Sequence, residues 1–339
     1  MGVYSVQLAS KGLTEQAFSQ LEAVRDAKKS SLEVLFERWK LETELYAANK
    51  DVYNDLVMFR DYAYGTSKGK RLDVKDEEYI GNREYVQGAF QPFVDKLGFD
   101  DALLIEDYGR ILYTYQGGRD QGEDLVNGAL LQGTSIARAW EMAMKGQTVF
   151  LDFEPYPGLD NKPCAFLAAP IYDHTGEIEG VAALRIPLEA INNIMSESAA
   201  APGTEDEEGK AADTGEASAD TDSVTYLIGH DGLFRSDIGG AADTYGVFAS
   251  FSAPDTKLEN QAVLAAQAGE SGSKIGLGYR GQEVLAAYAP ITILGVTWAL
   301  VAEMGVDQAF APVYTLRMTA LVIGAATAVE ESTKDVKII

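Results

Sequence analysis

The chain has 339 residues, a length that suits two domains at roughly 150 residues each. Hydrophobic residues make up 46% and charged residues 24%, enough for real cores in an ordinary globular protein. The formal net charge is −24, from 28 Lys and Arg against 52 Asp and Glu, which excludes a binder of nucleic acid or anionic membrane, since either needs a basic face.

Cys164 is the one cysteine and sits in an apolar run, so no internal disulfide, CxxC zinc site or CxxCH haem attachment can form. Its simplest role is that of a small buried hydrophobe. The two histidines, His174 and His230, lie in Asp173-His174-Thr175-Gly176 and Gly229-His230-Asp231-Gly232, which read as turns rather than metal or catalytic positions. No metal and no cofactor is expected.

Residues 1–75 are dominated by one helical pattern over 11–62, with apolar residues at 3–4 spacing from Leu13 through Leu21, Leu32, Phe36, Trp39 and Leu56 to Phe59. Such a helix spans roughly 75 Å, longer than a small domain, and needs a partner along its stripe. That partner is two stacked domains, a twin helix in a homodimer, or both. A module over residues 76–195 follows. It reads as a helix over 76–97, a β-hairpin around Asp107-Tyr108-Gly109-Arg110, a helix over 134–145, three strands over 148–153, 164–172 and 180–187, and a closing helix over 188–195.

Residues 196–223 carry nine acids, one Lys and no aromatic residue, so they cannot build a core and read as a solvated linker. Over 224–312 the first plan returns. A hairpin surrounds Gly229-His230-Asp231-Gly232, a helix covers 260–267, and strands cover 274–279, 283–290 and 296–303. The repeat is direct: Phe166-Leu167-Ala168-Ala169-Pro170-Ile171 matches Leu285-Ala286-Ala287-Tyr288-Ala289-Pro290-Ile291, and Gly180-Val181 matches Gly295-Val296. The fold class is therefore α+β: a long N-terminal helix and two modules, each a five-stranded antiparallel sheet with flanking helices. Residues 313–329 end in a small and apolar run, too short for the roughly 20 residues a span needs, and read as the start of a transmembrane helix. Residues 330–339 read as a tail that does not continue it.

This layout resembles the double Cache family, the PAS-like extracytoplasmic sensor regions of bacterial chemoreceptors, histidine kinases and cyclases. The resemblance rests on Leu21-Glu22-Ala23-Val24-Arg25 with Lys28-Lys29, and on Asp152-Phe153-Glu154-Pro155-Tyr156. It rests further on Ala168-Ala169-Pro170-Ile171-Tyr172-Asp173 with Gly176 and Gly180-Val181, and on Gly232-Leu233-Phe234-Arg235-Ser236-Asp237 with Gly295. It implies a periplasmic sensor of an inner-membrane receptor, chemotactic in its most similar form, that binds a small solute in the membrane-distal module and passes a conformational signal across the membrane.

In amino-acid-binding members of that family an Arg-x-Trp-aromatic segment and a following Tyr hold the ligand, with an acid two residues after the Tyr and an Asp on the last strand. Here Arg138-Ala139-Trp140 and Tyr156 match, whereas Glu141, Gly158 and Arg185 stand at the other positions. An ammonium at 4 Å from Arg185 would be repelled by about 4 kcal/mol at an effective dielectric of 20. The expected ligand is thus an organic carboxylate or other anion, with Arg138 and Arg185 as charge partners. Asp152, Glu154, Tyr156 and Arg185 form the expected rim, with Tyr113, Tyr115, Tyr172 and Asp173 as further candidates. Simpler roles stay open: Trp140 as core, Arg185 paired to Glu154 or Asp152, and the tyrosines as ordinary strand aromatics.

Carboxylate pairs such as Asp152 and Glu154, i, i+2 on a strand and hence on one face, could serve glycoside chemistry, though an ordinary charged strand end explains them as well. No GxSxG, HExxH or Gly-rich phosphate loop accompanies them, so no catalysis is expected. A free periplasmic binding module is the other alternative, disfavoured by the apolar run near the C-terminus.

Overall fold

The computed structural model describes residues 2–67, 72–197, 223–253 and 257–311. The apolar run at 318–329, the tail and most of the acidic linker lie outside the described residues. Among the described residues no helix is long and apolar enough to cross a membrane.

The long helical pattern is two helices, α1 (Gly2–Ala47) and α2 (Lys50–Ser67). Asn49 makes the break: its side-chain oxygen accepts from the Asp51 amide at 2.9 Å, capping α2. Periodicity alone hid this, because a two-residue interruption leaves the apolar stripe nearly in phase. The third helix, α3 (Glu77–Gln91), starts on Asp76, whose side chain accepts from the Glu78 amide, and ends in a π-helical turn over Pro92–Lys96.

The first sheet has the order β2-β1-β5-β4-β3, from β1 (Asp101–Glu106), β2 (Ile111–Thr114), β3 (Val149–Tyr156), β4 (Lys162–Tyr172) and β5 (Ile178–Arg185). Its neighbouring strands run antiparallel. One face carries α1, α2 and α3; the other carries α4 (Ser135–Ala143). Strand alternation decides which side chain goes where: Leu184 belongs to the helical core, while Ala183 belongs to the core under α4. The helix α5 (Leu188–Ser196) closes the module.

The second sheet departs from expectation. It has four strands, in the order β6-β9-β8-β7, from β6 (Val224–Ile228), β7 (Gly272–Leu277), β8 (Glu283–Ile293) and β9 (Val296–Gly305). The expected fifth strand over 233–235 is a single bridge from Phe234 to Ile228. Pairing stops there because the next partner is a side chain: the Leu227 amide donates to Ser236 Oγ at 3.1 Å. Two short helices, α6 (Val247–Ser252) and α7 (Gln261–Gln267), accompany this sheet, and α6 left no readable period in the sequence.

Both modules are strung on α1. Ala17 and Leu21 pack against Leu285, Ala287, Ala302 and Met304 of the second sheet, and Leu32 to Trp39 pack against the first. Arg25 donates to the carbonyls of Gly272 and Tyr288, each at 3.2 Å. Lys28 donates to the carbonyls of Ile194 and Glu197 at the end of α5, where a cation meets the unsatisfied carbonyls of a helix C-terminus. Between the modules Phe36, Phe150 and Trp298 meet edge to face, with centroids 5.1 to 5.8 Å apart. Beside them Arg235, only 3% exposed, reaches from the second module to Asp152 of the first, Nε to Oδ1 at 2.8 Å, and holds Asp231 at 3.0 Å.

Asp152→Ala leaves the buried Arg235 with one carboxylate and should cost about 2–3 kcal/mol in urea unfolding. The same change at Glu154, whose ion pair with Arg138 is 41–44% exposed, should cost under about 1 kcal/mol. Equal losses would contradict the seam's importance. Asp55 on α2 is buried, with one oxygen lacking a hydrogen-bond partner among the described residues; burial, then Asp51, lifts its pKa to about 6. A carboxyl raised on folding lends stability below its unfolded value that is lost as pH rises through the folded one. Wild type should therefore lose about 1 kcal/mol relative to Asp55→Asn between about pH 4 and about pH 6, after discounting for partial solvent screening. Urea melts at the two ends of that window would read it, and a constant difference would rule it out.

Candidate functional site

The α4 face of the first sheet holds the polar constellation. α4 forms because Ile136, Ala137, Ala139 and Ala143 make one buried stripe. That stripe leaves Arg138 on the flank, where it donates to the Gly133 carbonyl at 2.7 Å and pairs with Glu154 on β3. Trp140 donates from Nε1 to the Glu106 carbonyl at 3.0 Å. Its ring lies against Gly109, where φ is +87° and an added Cβ would meet Val126 at 2.8 Å.

At the other end of β1 the charges converge. Asp101 opens β1 and stands opposite Arg185 in the β1–β5 register. Its Oδ1 accepts from the amides of Ala102 and Gln116 at 2.9 and 3.0 Å, and its Oδ2 lies 3.4 Å from Arg185. Arg185 also donates to the Asp100 carbonyl at 3.0 Å and lies 3.8 Å from the Asp100 carboxylate. Asp120, on the loop before α4, is 2% exposed; its Oδ2 accepts the Tyr156 hydroxyl at 2.7 Å, and its Oδ1 is buried with no hydrogen-bond partner among the described residues. Burial lifts the carboxyl pKa of Asp101 to about 6, against the pull of Arg185, and raises that of Asp120 as well. Burial also pushes the Cys164 thiol up to about 12, which keeps it protonated and inert.

Gly158 has a steric reason. A Cβ there would fall 2.6 Å from the Tyr156 ring and 3.0 Å from Asp120. Asp120 comes to the Tyr156 hydroxyl from the loop before α4, and Asp101 stands opposite Arg185 across the ladder.

The expected site residues thus divide. Arg138, Glu154, Tyr156, Arg185 and Trp140 share the α4 face, but Trp140 sits at the Glu106 end of β1 and Arg185 at the Asp101 end, about 16 Å of strand apart. Asp152 and Glu154 do not share a face. An extra residue in β3, between Leu151 and Glu154, turns Asp152 to Arg235 and Glu154 to Arg138. Arg185 pairs with Asp100 and Asp101, not with Glu154 or Asp152.

Tyr113 points into the helical core, with ring centroids 4.5 Å from Phe90 and 5.3 Å from Phe59. Tyr115 reaches Asp95 on that same side at 3.4 Å. Tyr172 and Asp173 line a separate cavity of about 590 Å³ at the α1–α2 break, with Glu44, Tyr53 and His174. The sequence pattern did not single out Asp100, Asp101 or Asp120. The signal available was an acid pair abutting the apolar run over 102–105, since acids at the mouth of a buried strand need a partner.

No family model matches this chain, and no curated protein matches it. Solved structures do. The ligand-binding domain of the Campylobacter jejuni chemoreceptor Tlp3, in complex with 4-methylisoleucine, is 14% identical and aligns over 88% of this chain and 94% of its own at a TM-score of 0.53. A domain of a sensory box/GGDEF family protein from Vibrio parahaemolyticus is 9% identical over 88% and 99%, with a TM-score of 0.56. The extracellular domain of the histidine kinase vpHK1S-Z8 is 9% identical over 89% and 94%, with a TM-score of 0.52. At these identities the likeness is one of fold, and the chain has the two-module sensor-domain fold that the double Cache resemblance implies.

Proposed function

We propose that this chain is the extracytoplasmic sensor region of a bacterial transmembrane receptor, that it carries out no bond-breaking chemistry, and that its first module binds a small solute presenting a protonated amino group. The observation that carries the solute class is Asp120: a carboxylate 2% exposed beside Tyr156, with one oxygen lacking a hydrogen-bond partner among the described residues. An unmet buried acceptor is costly, and an N–H⁺ donor meets it with a charge-assisted hydrogen bond.

The organic anion expected from the sequence required Arg138 and Arg185 to be available. Arg138 is engaged by Glu154, and Arg185 by Asp100 and Asp101. With Asp120 included, three carboxylates face one guanidinium at that end of the sheet, so the repulsion argued against an ammonium is outweighed. Tlp3, with a related fold, is described with 4-methylisoleucine bound, which supports an amino-acid-like solute here.

Calorimetry with amino acids, primary amines and organic acids tests this. A compound bearing an ammonium should bind, and Asp120→Asn should weaken it by about tenfold to a hundredfold. Binding confined to organic acids, or undiminished in Asp120→Asn, would overturn the reading.

We further propose that α1 pairs with α1 of a second copy. Val34, Leu41 and Leu45 are 70%, 56% and 61% exposed, and their spacing places them on one stripe of the helix, facing away from both sheets. Sedimentation should give a dimer for wild type and a monomer for the double variant Leu41→Glu, Leu45→Glu; an unchanged dimer would place the interface elsewhere.

A further inference from the structure

The second module repeats the first at one position with a reversed charge. Arg185 stands opposite the first residue of β1 and opposite Phe166 on β4. Glu303 on β9 stands opposite Val224, the first residue of β6, and opposite Ala286 on β8. The two side chains hold the same place in their sheets, each on the face that packs against α4 or α7.

Glu303 is 2% exposed, yet no basic side chain lies within ion-pair distance among the described residues. Its Oε2 accepts the Tyr226 hydroxyl at 2.8 Å and its Oε1 accepts the Tyr279 amide at 3.2 Å. Gly278 leaves room for it: a Cβ there would fall 2.4 Å from Oε1. Burial raises the Glu303 carboxyl pKa, against the pull of its two hydrogen bonds and of Arg280.

Around this carboxylate four aromatic rings close a circuit. Ring centroids are 6.0 Å apart for Tyr226 and Phe234, 6.4 Å for Phe234 and Tyr245, 4.9 Å for Tyr245 and Tyr279, and 5.9 Å for Tyr279 and Tyr226. Asn260 donates to the Tyr226 hydroxyl at 3.3 Å and holds that ring in place. The guanidinium of Arg280 already stacks on Tyr279, 5.1 Å from its centroid, so a ring of this circuit attracts a cation. Tyr245 is half-buried and forms the accessible side. Ring faces and a buried carboxylate with no ion pair among the described residues attract a positive charge together, and a desolvated setting strengthens both.

We propose that the second module is a separate binding site for a small organic cation of the alkylated-ammonium class, held by Glu303 within the circuit of Tyr226, Phe234, Tyr245 and Tyr279. It does not rest on the reading of the first module. Alkylation suits the rings, because a methylated cation has no N–H to lose on leaving water and presents its charge over a broad apolar surface.

Tetramethylammonium is the probe, since it cannot donate a hydrogen bond to Asp120. Calorimetric titration of the whole chain, against matched sodium chloride, should show saturable binding. Glu303→Gln keeps one acceptor oxygen for the Tyr279 amide, leaves its NH2 to donate to the Tyr226 hydroxyl and removes the charge, and should weaken binding by about tenfold or more; Tyr245→Leu should weaken it as well. Asp120→Asn should leave it unchanged, so failure here and failure at the first module are read separately. Should Glu303→Gln unfold, Tyr245→Leu at its half-buried position decides the matter. No binding beyond the sodium chloride control, binding indifferent to Glu303→Gln and Tyr245→Leu, or binding lost in Asp120→Asn would each overturn the proposal.

Discussion

The structure depends on one seam, where Phe36 of α1, Phe150 of β3 and Trp298 of β9 pack edge to face. Each sheet alone has an apolar face that must be covered, and neither brings its own layer for the whole of it. α1 covers both in turn, with Ala17 and Leu21 on the second sheet and Leu32 to Trp39 on the first. Without the aromatic seam the two halves of that stripe would be anchored independently. With it, one core runs along the helix through both modules while the two sheets stay separate. The Asp152–Arg235 pair lies beside the seam and adds direction, because a nearly buried guanidinium with two carboxylates tolerates one arrangement far better than others.

This arrangement places the candidate site and the helix on opposite faces of one sheet, joined through adjacent residues. Leu184 is in the helical core and Arg185 in the charged cluster, one residue apart on β5; Ala102 and Asp101 divide the same way on β1. Side chains alternate along a strand, so a displacement of Asp101 or Arg185 would be felt by the neighbouring residues that touch the helices. β3 carries a second route, since its extra residue sends Asp152 to the seam and Glu154 to α4. A bulge of this kind re-aims side chains at a cost in ladder hydrogen bonds, and here it gives one strand contact with both the site and the neighbouring module.

The layout was legible because it rests on periods. The two modules showed as a repeat, the strands as apolar runs between turns, and α1 with α2 as one 3–4 stripe. What failed to show were departures from period. The helix break at Asn49 costs two residues and hardly disturbs the stripe. The β3 bulge inverts the face of Asp152 without any glycine or proline to mark it. The fifth strand of the second module was expected from three apolar or basic residues after a turn; Ser236 and Arg235 are engaged in side-chain contacts that end the ladder. At the site, Arg138, Tyr156 and Arg185 do lie on the α4 face, but their partners were not legible. Asp101 is adjacent to Arg185 only through the β1–β5 register, and Asp120 meets Tyr156 only through a loop closure, neither of which a sequence displays.

The same register position shows how one fold serves different chemistry. In the first module it holds Arg185, surrounded by carboxylates; in the second it holds Glu303, surrounded by aromatic rings. Each burial has its own compensation. The guanidinium is balanced by the carboxylates beside it, while burial pushes Asp101 up to about 6 against the pull of Arg185. The carboxylate of Glu303 accepts from a hydroxyl and an amide, with no ion pair among the described residues, and these stabilise the charge less than an ion pair does. Both clusters therefore carry an excess of negative character away from water, one through surplus carboxylates and one through ring faces and a solitary acid. Under the two proposed readings a positive charge would lower the energy of either, and the geometry around each would decide which kind fits: N–H donors where acceptor oxygens are unmet, a smooth apolar cation where aromatic faces line the wall.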